Sequence, residues 1–258
     1  MDTHEGAADA SLDELIDATD ELLALWDRWI HAGSIDLRPR PEFQWNQRRA
    51  AAVVTLTQHL VALIETIRPH LPADLPITLT PVARAALETG VWLVWLDRYP
   101  DSIDAAINEA ERTRGVIASE LVKSGLVPES EAKEMPGWTP LPTEVADHAR
   151  RFKAMTDDLG LDEIYVIYRM FSGQAHPGAR VVDAYLESDD NGGPVFRAEA
   201  KIGFEAVLST RVLPLFLLKA TRIVTHLTRD RAQRSEVRVI GRKIGVRVDD
   251  LFSAGPDL

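Results

Sequence analysis

The sequence contains no cysteine. Disulfide frameworks, thiolate-bound zinc, iron–sulfur clusters and thiol nucleophiles are therefore excluded. Long apolar runs are also missing: the longest, 91–96 and 212–218 around Pro214, fall far short of the roughly 20 residues of a membrane helix. No membrane partner is expected. The opening MDTHEGAADA lacks the basic start and apolar stretch of a signal peptide, which predicts a cytoplasmic protein. Bases are outnumbered, 29 Lys and Arg against 40 Asp and Glu, so a coat for duplex DNA is not expected. Gly and Pro, 15 each in 258 residues, are at ordinary levels, which excludes collagen-like and disordered classes. What is present is a chain with 45% hydrophobic residues, long enough to bury a substantial core.

The periodicity is helical almost throughout. Ser11-Leu12-Asp13-Glu14 reads as a capping box and starts a helix that ends near Gly33. Further helices are predicted at about 45–71, 81–97, 102–124, 143–158 and 161–176. Thr80-Pro81 starts the third, since proline in the first turn forfeits no needed hydrogen bond. This helix is apolar on most sides and is expected to be central. Residues 126–142, with Pro128, Pro136, Pro140 and Pro142, form a proline-rich internal loop. Residues 181–201 read either as a β-hairpin or as a helix followed by a loop. A last long helix is expected over 204–233, kinked at Pro214. Val237, Val239, Ile244, Val246 and Val248 suggest a strand pair or an irregular tail over 234–258. The expected fold class is mainly α: a single helical-bundle domain over 1–258, with a small hairpin and a C-terminal basic helix.

The helix over 161–176 places Tyr165, Arg169, Ser172 and His176 within an arc of ~60° at about 100° per residue, with Tyr168 just outside. Such a polar stripe is unusual on a helix otherwise made of Ile, Val, Met and Phe. Pro177 disfavours helical geometry at His176, so the imidazole sits at the helix C-terminus, where the dipole favours its protonated form. Arginine supplies a planar, multidentate donor for phosphate, and histidine transfers protons near neutrality.

Arg169 and His176, with six residues between them, resemble the Arg-x4–6-His signature of HEPN-like helical proteins. Tyr168-Arg169-x-x-Ser172-x-x-x-His176-Pro177 is similar to a pattern in a group of uncharacterised bacterial helical proteins of that kind. Arg84-x-x-x-Glu88 followed by Trp92 resembles the helix they place before it. The resemblance spans about 45–180 as a pattern of helices. It implies a helical bundle that homodimerises and brings two Arg/His sets into one cleft. The activity implied is that of a metal-independent endoribonuclease of toxin or defence type, without cofactor. Arg169 would hold the scissile phosphate of single-stranded RNA, and His176 would move protons as the 2′-hydroxyl attacks. Tyr165, Tyr168, Ser172, Arg84 and Glu88 would support the site or bind substrate. The alternative is a non-catalytic dimerisation or partner-binding module. In that reading Arg169 pairs with Glu88 inside the bundle, Ser172 lets helices approach and His176 caps its helix.

Charge is uneven. Nine bases and two acids between Lys219 and Arg247 give +7, against −18 for the remainder. Arg231, Arg234 and Arg238 are therefore candidate RNA contacts, the alternative being a basic helix end packed on acidic helices. Glu144 and His148 share a helix face, but the paired Glu-x-x-His motifs of bundle metal sites are missing, and no metal is expected. Serine-hydrolase elbows and phosphate-binding glycine loops are missing as well. Trp26, Trp29, Trp92 and Trp95 read as core, while Trp45 and Trp138 stand in less regular surroundings.

Overall fold

The computed structural model describes residues 10–32, 47–128, 130, 139–189, 192–227 and 232–252. Trp45, Trp138 and Arg231 lie outside them. The protein is mainly helical. The helices are α1 (Leu12–His31), α2 (Gln47–Ile67), α3 (Thr80–Arg98), α4 (Ser102–Lys123), α5 (Ala146–Arg150), α6 (Phe152–Asp158), α7 (Asp162–Ala175), α8 (Ala179–Ala184), α9 (Gly203–Leu227) and α10 (Ala232–Lys243).

Local chemistry fixes several boundaries. The capping box of α1 forms as expected: Ser11 Oγ accepts from the Glu14 N–H at 3.2 Å, and the Ser11 N–H donates to Glu14 Oε2 at 2.8 Å. The chain between α6 and α7 turns at Gly160, where the Leu161 N–H reaches back to the Thr156 carbonyl at 2.8 Å. Pro177 holds His176 extended, with ψ 142°, so α7 stops one residue before it.

The core is built around two helices. α3 buries Ala83, Ala86, Leu87, Val91, Leu93, Val94 and Trp95, which cover most of its circumference, and packs on α2, α7 and α9. α9 is just as enclosed, and runs through Pro214 as one helix. The two cross at Gly90, where an added Cβ would lie 2.4 Å from Phe216 Cγ. α1 joins through Leu15, Leu22 and Trp26, whose indole N–H donates to Gln58 Oε1 at 2.7 Å. By length and composition the stretch Gln47–His70 is apolar enough to cross a membrane, which its short uninterrupted runs did not suggest. Its Val53, Leu60, Val61, Ile64 and Ile67 are buried in the core.

Several expectations need correction. The helix over 143–158 is two helices, broken at an extended Arg151 that turns Phe152 onto Tyr168, 4.3 Å between ring centroids. Residues 181–201 combine both readings: α8 leads into a hairpin of β2 (Leu186–Ser188) and β3 (Pro194–Phe196), with Leu186 opposite Phe196. A further pair joins β1 (Leu75–Pro76) to β4 (Lys201–Ile202). The expected irregular tail over 234–258 is helical as far as Lys243, and its later residues form turns up to Phe252. Val237, Ile240 and Ile244 are buried at helical spacing while Val239 is exposed, so packing overrides the β preference of these branched residues. α4 buries only Ser102, Ile103 and Ala105, and most of its length faces solvent.

Gly90 carries a testable consequence. Gly90→Val gains little helix propensity but must displace the Phe216 ring, and overpacking of this kind destabilises by about 1–3 kcal/mol. Urea denaturation should show that loss, and an unchanged midpoint would contradict the close crossing.

Candidate functional site

The apolar face of α7 decides where its polar stripe points. Ile164 and Phe171 are buried, and the helix packs on α3. The opposite face, Asp162, Val166, Arg169, Gly173 and His176, is exposed. Arg169 and His176 thus point to solvent, and among the described residues neither has a hydrogen bond or ion pair.

The other members of the stripe turn inward. Ser172 Oγ donates to the Tyr168 carbonyl of its own helix at 2.9 Å. Tyr168 packs between Phe152 and Tyr165, and the Arg84 guanidinium lies 5.0 Å from its ring centroid. Arg84 Nη2 donates to Glu88 Oε1 at 3.2 Å. Partial burial lowers the Arg84 pKa, but Glu88 and the Tyr168 hydroxyl outweigh it, and the guanidinium ends above its ordinary value. Glu88 is therefore the partner of Arg84, which corrects the expected Arg169–Glu88 pair, while His176 occupies the C-cap position of α7 as expected, with its side chain exposed. The stripe divides into Tyr165 and Tyr168, whose rings meet Lys153, Phe152 and Arg84 of neighbouring helices, Ser172, which bonds within its own helix, and Arg169 and His176, which face solvent.

One residue of this outer face was missed in the sequence. Arg180 of α8 folds over Gly173, its Nη1 3.6 Å from where a Cβ there would stand. Arg180 is exposed, and Gly173 lies one turn beyond Arg169. The signal was available, since a glycine four residues after an arginine leaves a gap on the same face.

The bases and acids of α10 pair both with α1 and with the C-terminal turn. Lys243 Nζ meets Glu21 at 2.5 Å, Glu236 meets Arg28 at 2.8 Å, and Arg238 meets Asp249 at 2.9 Å. Arg234 Nε donates to the Thr225 carbonyl near the end of α9, at 3.2 Å. Arg234 and Arg238 therefore do not stand clear as a basic stripe. Glu144 and His148 do not come together as ligands: the Glu144 N–H donates to Asp101, and His148 Nδ1 lies 3.9 Å from Asp158. Among the described residues no three His, Asp or Glu side chains converge as a metal-ligand group.

A second cluster, also missed, occupies a cleft of about 420 Å³ between α3, α9 and the C-terminal turn. Its polar side is formed by Asp97, Arg98, Lys219, Arg222, His226 and Asp249. Lys219 Nζ lies 2.9 Å from Asp97, and Arg222 Nε donates to Asp249 Oδ1 at 2.7 Å. Buried Arg49 sits behind them and donates to the Leu96 carbonyl at 2.5 Å, and desolvation lowers its pKa to about 10. Burial, with Arg222 and Arg234 adding, lowers the His226 pKa to about 4, against the opposite pull of Asp97 and Asp249. The sequence signal was a Lys and an Arg set inside the apolar run of α9, and both had been counted with the basic tail.

Two predictions follow from this division of roles. Arg84→Ala removes a half-buried ion pair and a ring contact and should destabilise by about 1–2 kcal/mol, whereas Arg169→Ala should stay within about 0.5 kcal/mol of the parent; equal urea midpoints for the two variants would contradict the assignment. His226 binds a proton near pH 6.5 when unfolded but only near 4 when folded, so stability is lost as pH falls between those values, by about 1–2 kcal/mol once solvent screening of a partly exposed ring is allowed for. His226→Gln should flatten that slope in denaturation series from pH 7 to 4.5. Comparison with protein-family models, curated proteins and solved structures gave no match for this chain.

Proposed function

We propose that the chain is a HEPN-like, metal-independent endoribonuclease that works as a homodimer on single-stranded RNA. The observation that carries this reading is the outer face of α7, where Arg169 and His176 stand exposed and without a partner among the described residues. Neither helps to hold its own helix to the bundle, and Arg180 adds a second guanidinium beside them. Seven residues of helix separate Arg169 and His176 by ~10 Å along the axis, a span that a long arginine side chain can bridge towards a shared phosphate.

In the proposed reaction Arg169, with Arg180, holds the non-bridging phosphate oxygens. His176 takes the proton of the 2′-hydroxyl as that oxygen attacks phosphorus, and the P–O5′ bond breaks. The products are a 2′,3′-cyclic phosphate and a 5′-hydroxyl, whose proton comes from an imidazolium, that of the second copy in the dimer. A single exposed helix face does not exclude water, and the facing α7 of a second copy would close the site.

A second reading has its own support. Val166 and Val182 are more than half exposed on α7 and α8, which favours a protein contact there and a non-catalytic dimerisation or partner-binding module.

One experiment separates the two. Single-stranded RNA is incubated in excess chelator with the parent protein, Arg169→Ala, His176→Ala and Arg180→Ala, and a substrate lacking the 2′-hydroxyl serves as control. Loss of a general acid–base group should lower cleavage by about 10²–10⁴-fold for His176→Ala, with cyclic-phosphate ends from the parent and no cut in the deoxy control. No cleavage by the parent, or equal cleavage by all four proteins, removes the ribonuclease reading. In that case a dimer by sedimentation that Val166→Asp dissociates supports the module.

A further inference from the structure

The cleft between α3, α9 and the C-terminal turn plays no part in the proposed ribonuclease reaction, yet it gathers the most deeply buried cations of the described structure. The side chains of Lys219 and Arg222 are only 11% and 9% exposed, and Arg49 behind them is 3% exposed. Charges taken out of water are costly unless they are paired and hydrogen-bonded. Here pairing falls short of the number of cations. Asp249 is shared by Arg222 and Arg238. Asp97 pairs with Lys219 and, together with Asp101, supports Arg49 electrostatically. Arg98 lines the same cleft and adds a further positive charge. A net positive pocket thus sits in a chain whose formal charge is −11.

Donors remain for a ligand. The Lys219 ammonium has three N–H groups, and among the described residues Asp97 is its one ion-pair partner. Arg222 directs Nε and Nη2 to Asp249 and Nη1 to Thr225 Oγ1, which leaves N–H groups on both terminal nitrogens. The His226 pKa is depressed first by burial and then by Arg222 and Arg234, against the pull of Asp97 and Asp249. The lining also includes apolar Val94, Ile223, Val248 and Phe252. Phe252 is fixed there by stacking on Phe216, 5.0 Å between centroids and 19° between planes. A cleft of about 420 Å³ lies within the size range of small-molecule sites, in which apolar walls bind the body and a few polar groups orient it.

We propose that this cleft binds a small phosphomonoester with an apolar body, its phosphate against Arg98, Lys219 and Arg222 and its body against Ile223, Val248 and Phe252. A dianionic phosphate supplies the negative charge that the two shared carboxylates leave short, and its three oxygens match the available N–H donors. This site is independent of the α7 face and of the activity proposed there.

Isothermal titration of the full chain with phenyl phosphate, inorganic phosphate and phenol tests the assignment. Phenyl phosphate should bind with Kd below about 1 mM, and inorganic phosphate and phenol each at least about tenfold more weakly. Arg98→Glu, at a partly exposed position, should weaken phenyl phosphate binding by about tenfold or more, and Lys219→Met should abolish it. Circular dichroism checks folding, and if Lys219→Met does not fold, Arg98→Glu decides alone. Arg169→Ala should bind like the parent, which keeps the cleft separate from the α7 face. No binding of phenyl phosphate by the parent, equal affinity for inorganic phosphate, or unchanged affinity in Arg98→Glu would overturn the proposal.

Discussion

The rest of the structure depends on the close crossing of α3 and α9 at Gly90. Both helices are buried around most of their surface, so neither has a polar face to spare and each must be wrapped by others. Their contact uses the missing side chain at Gly90 to seat Phe216 directly against the α3 backbone. Phe216 in turn stacks on Phe252, which places the C-terminal turn against the same two helices. Packing at protein-interior density leaves little room for adjustment, so this one approach sets both the centre of the bundle and the mouth of the charged cleft. α7 is one step removed, held to the outer side of α3 by Ile164, Phe171 and the contact of Arg84 with Tyr168.

The cations of the chain have divided labour that composition conceals. Arg84 is spent inside, on Glu88 and an aromatic ring. Lys243 and Arg238 tie α10 to acidic partners, and such exposed pairs contribute little each to stability. Of the two, Lys243 reaches Glu21 on α1 and Arg238 reaches Asp249 in the C-terminal turn. Arg49, Lys219 and Arg222 differ because they are buried, and the cost of desolvating them makes each of their carboxylate and carbonyl partners matter.

Much of the fold was legible because its signals are local. Ser11 and Glu14 specify a helix start by themselves, Gly160 and Pro177 bound α7, and the surrounding apolar residues of α3 mark a central helix. What was not legible depends on tertiary contact. The break at Arg151 follows from where Phe152 finds Tyr168, and the helicity of 232–243 from burial of Val237, Ile240 and Ile244 against the bundle. The exposure of α4 could not be read from its pattern, because an amphipathic sequence does not say whether a partner surface exists. The candidate site was legible in composition and not in pairing. The spacing placed Arg169 and His176 on one face, and it also placed Arg84 and Glu88 at i,i+4 within reach of each other on α3, a local pair that the expected Arg169–Glu88 contact passed over. Lys219 and Arg222 were visible as charges and were misread as tail, since burial of α9 on every side is a property of the assembled bundle.

The electrostatics of the α7 face follow from distance more than from net charge. At physiological ionic strength, charges separated by more than about 8 Å are largely screened from one another in solvent. A polyanion at this face therefore responds to the few groups within that range and only weakly to the −11 of the whole chain. Those groups are unevenly placed: Asp162 and Glu163 open the helix, while Arg169, Arg180 and His176 crowd its last two turns. An anion is thus excluded from one end and drawn to the other. The helix dipole opposes it there, because carbonyls without partners face outward at a C-terminus. For the anion binding proposed at this face, the guanidiniums of Arg169 and Arg180 are the groups beside His176 that can offset that field.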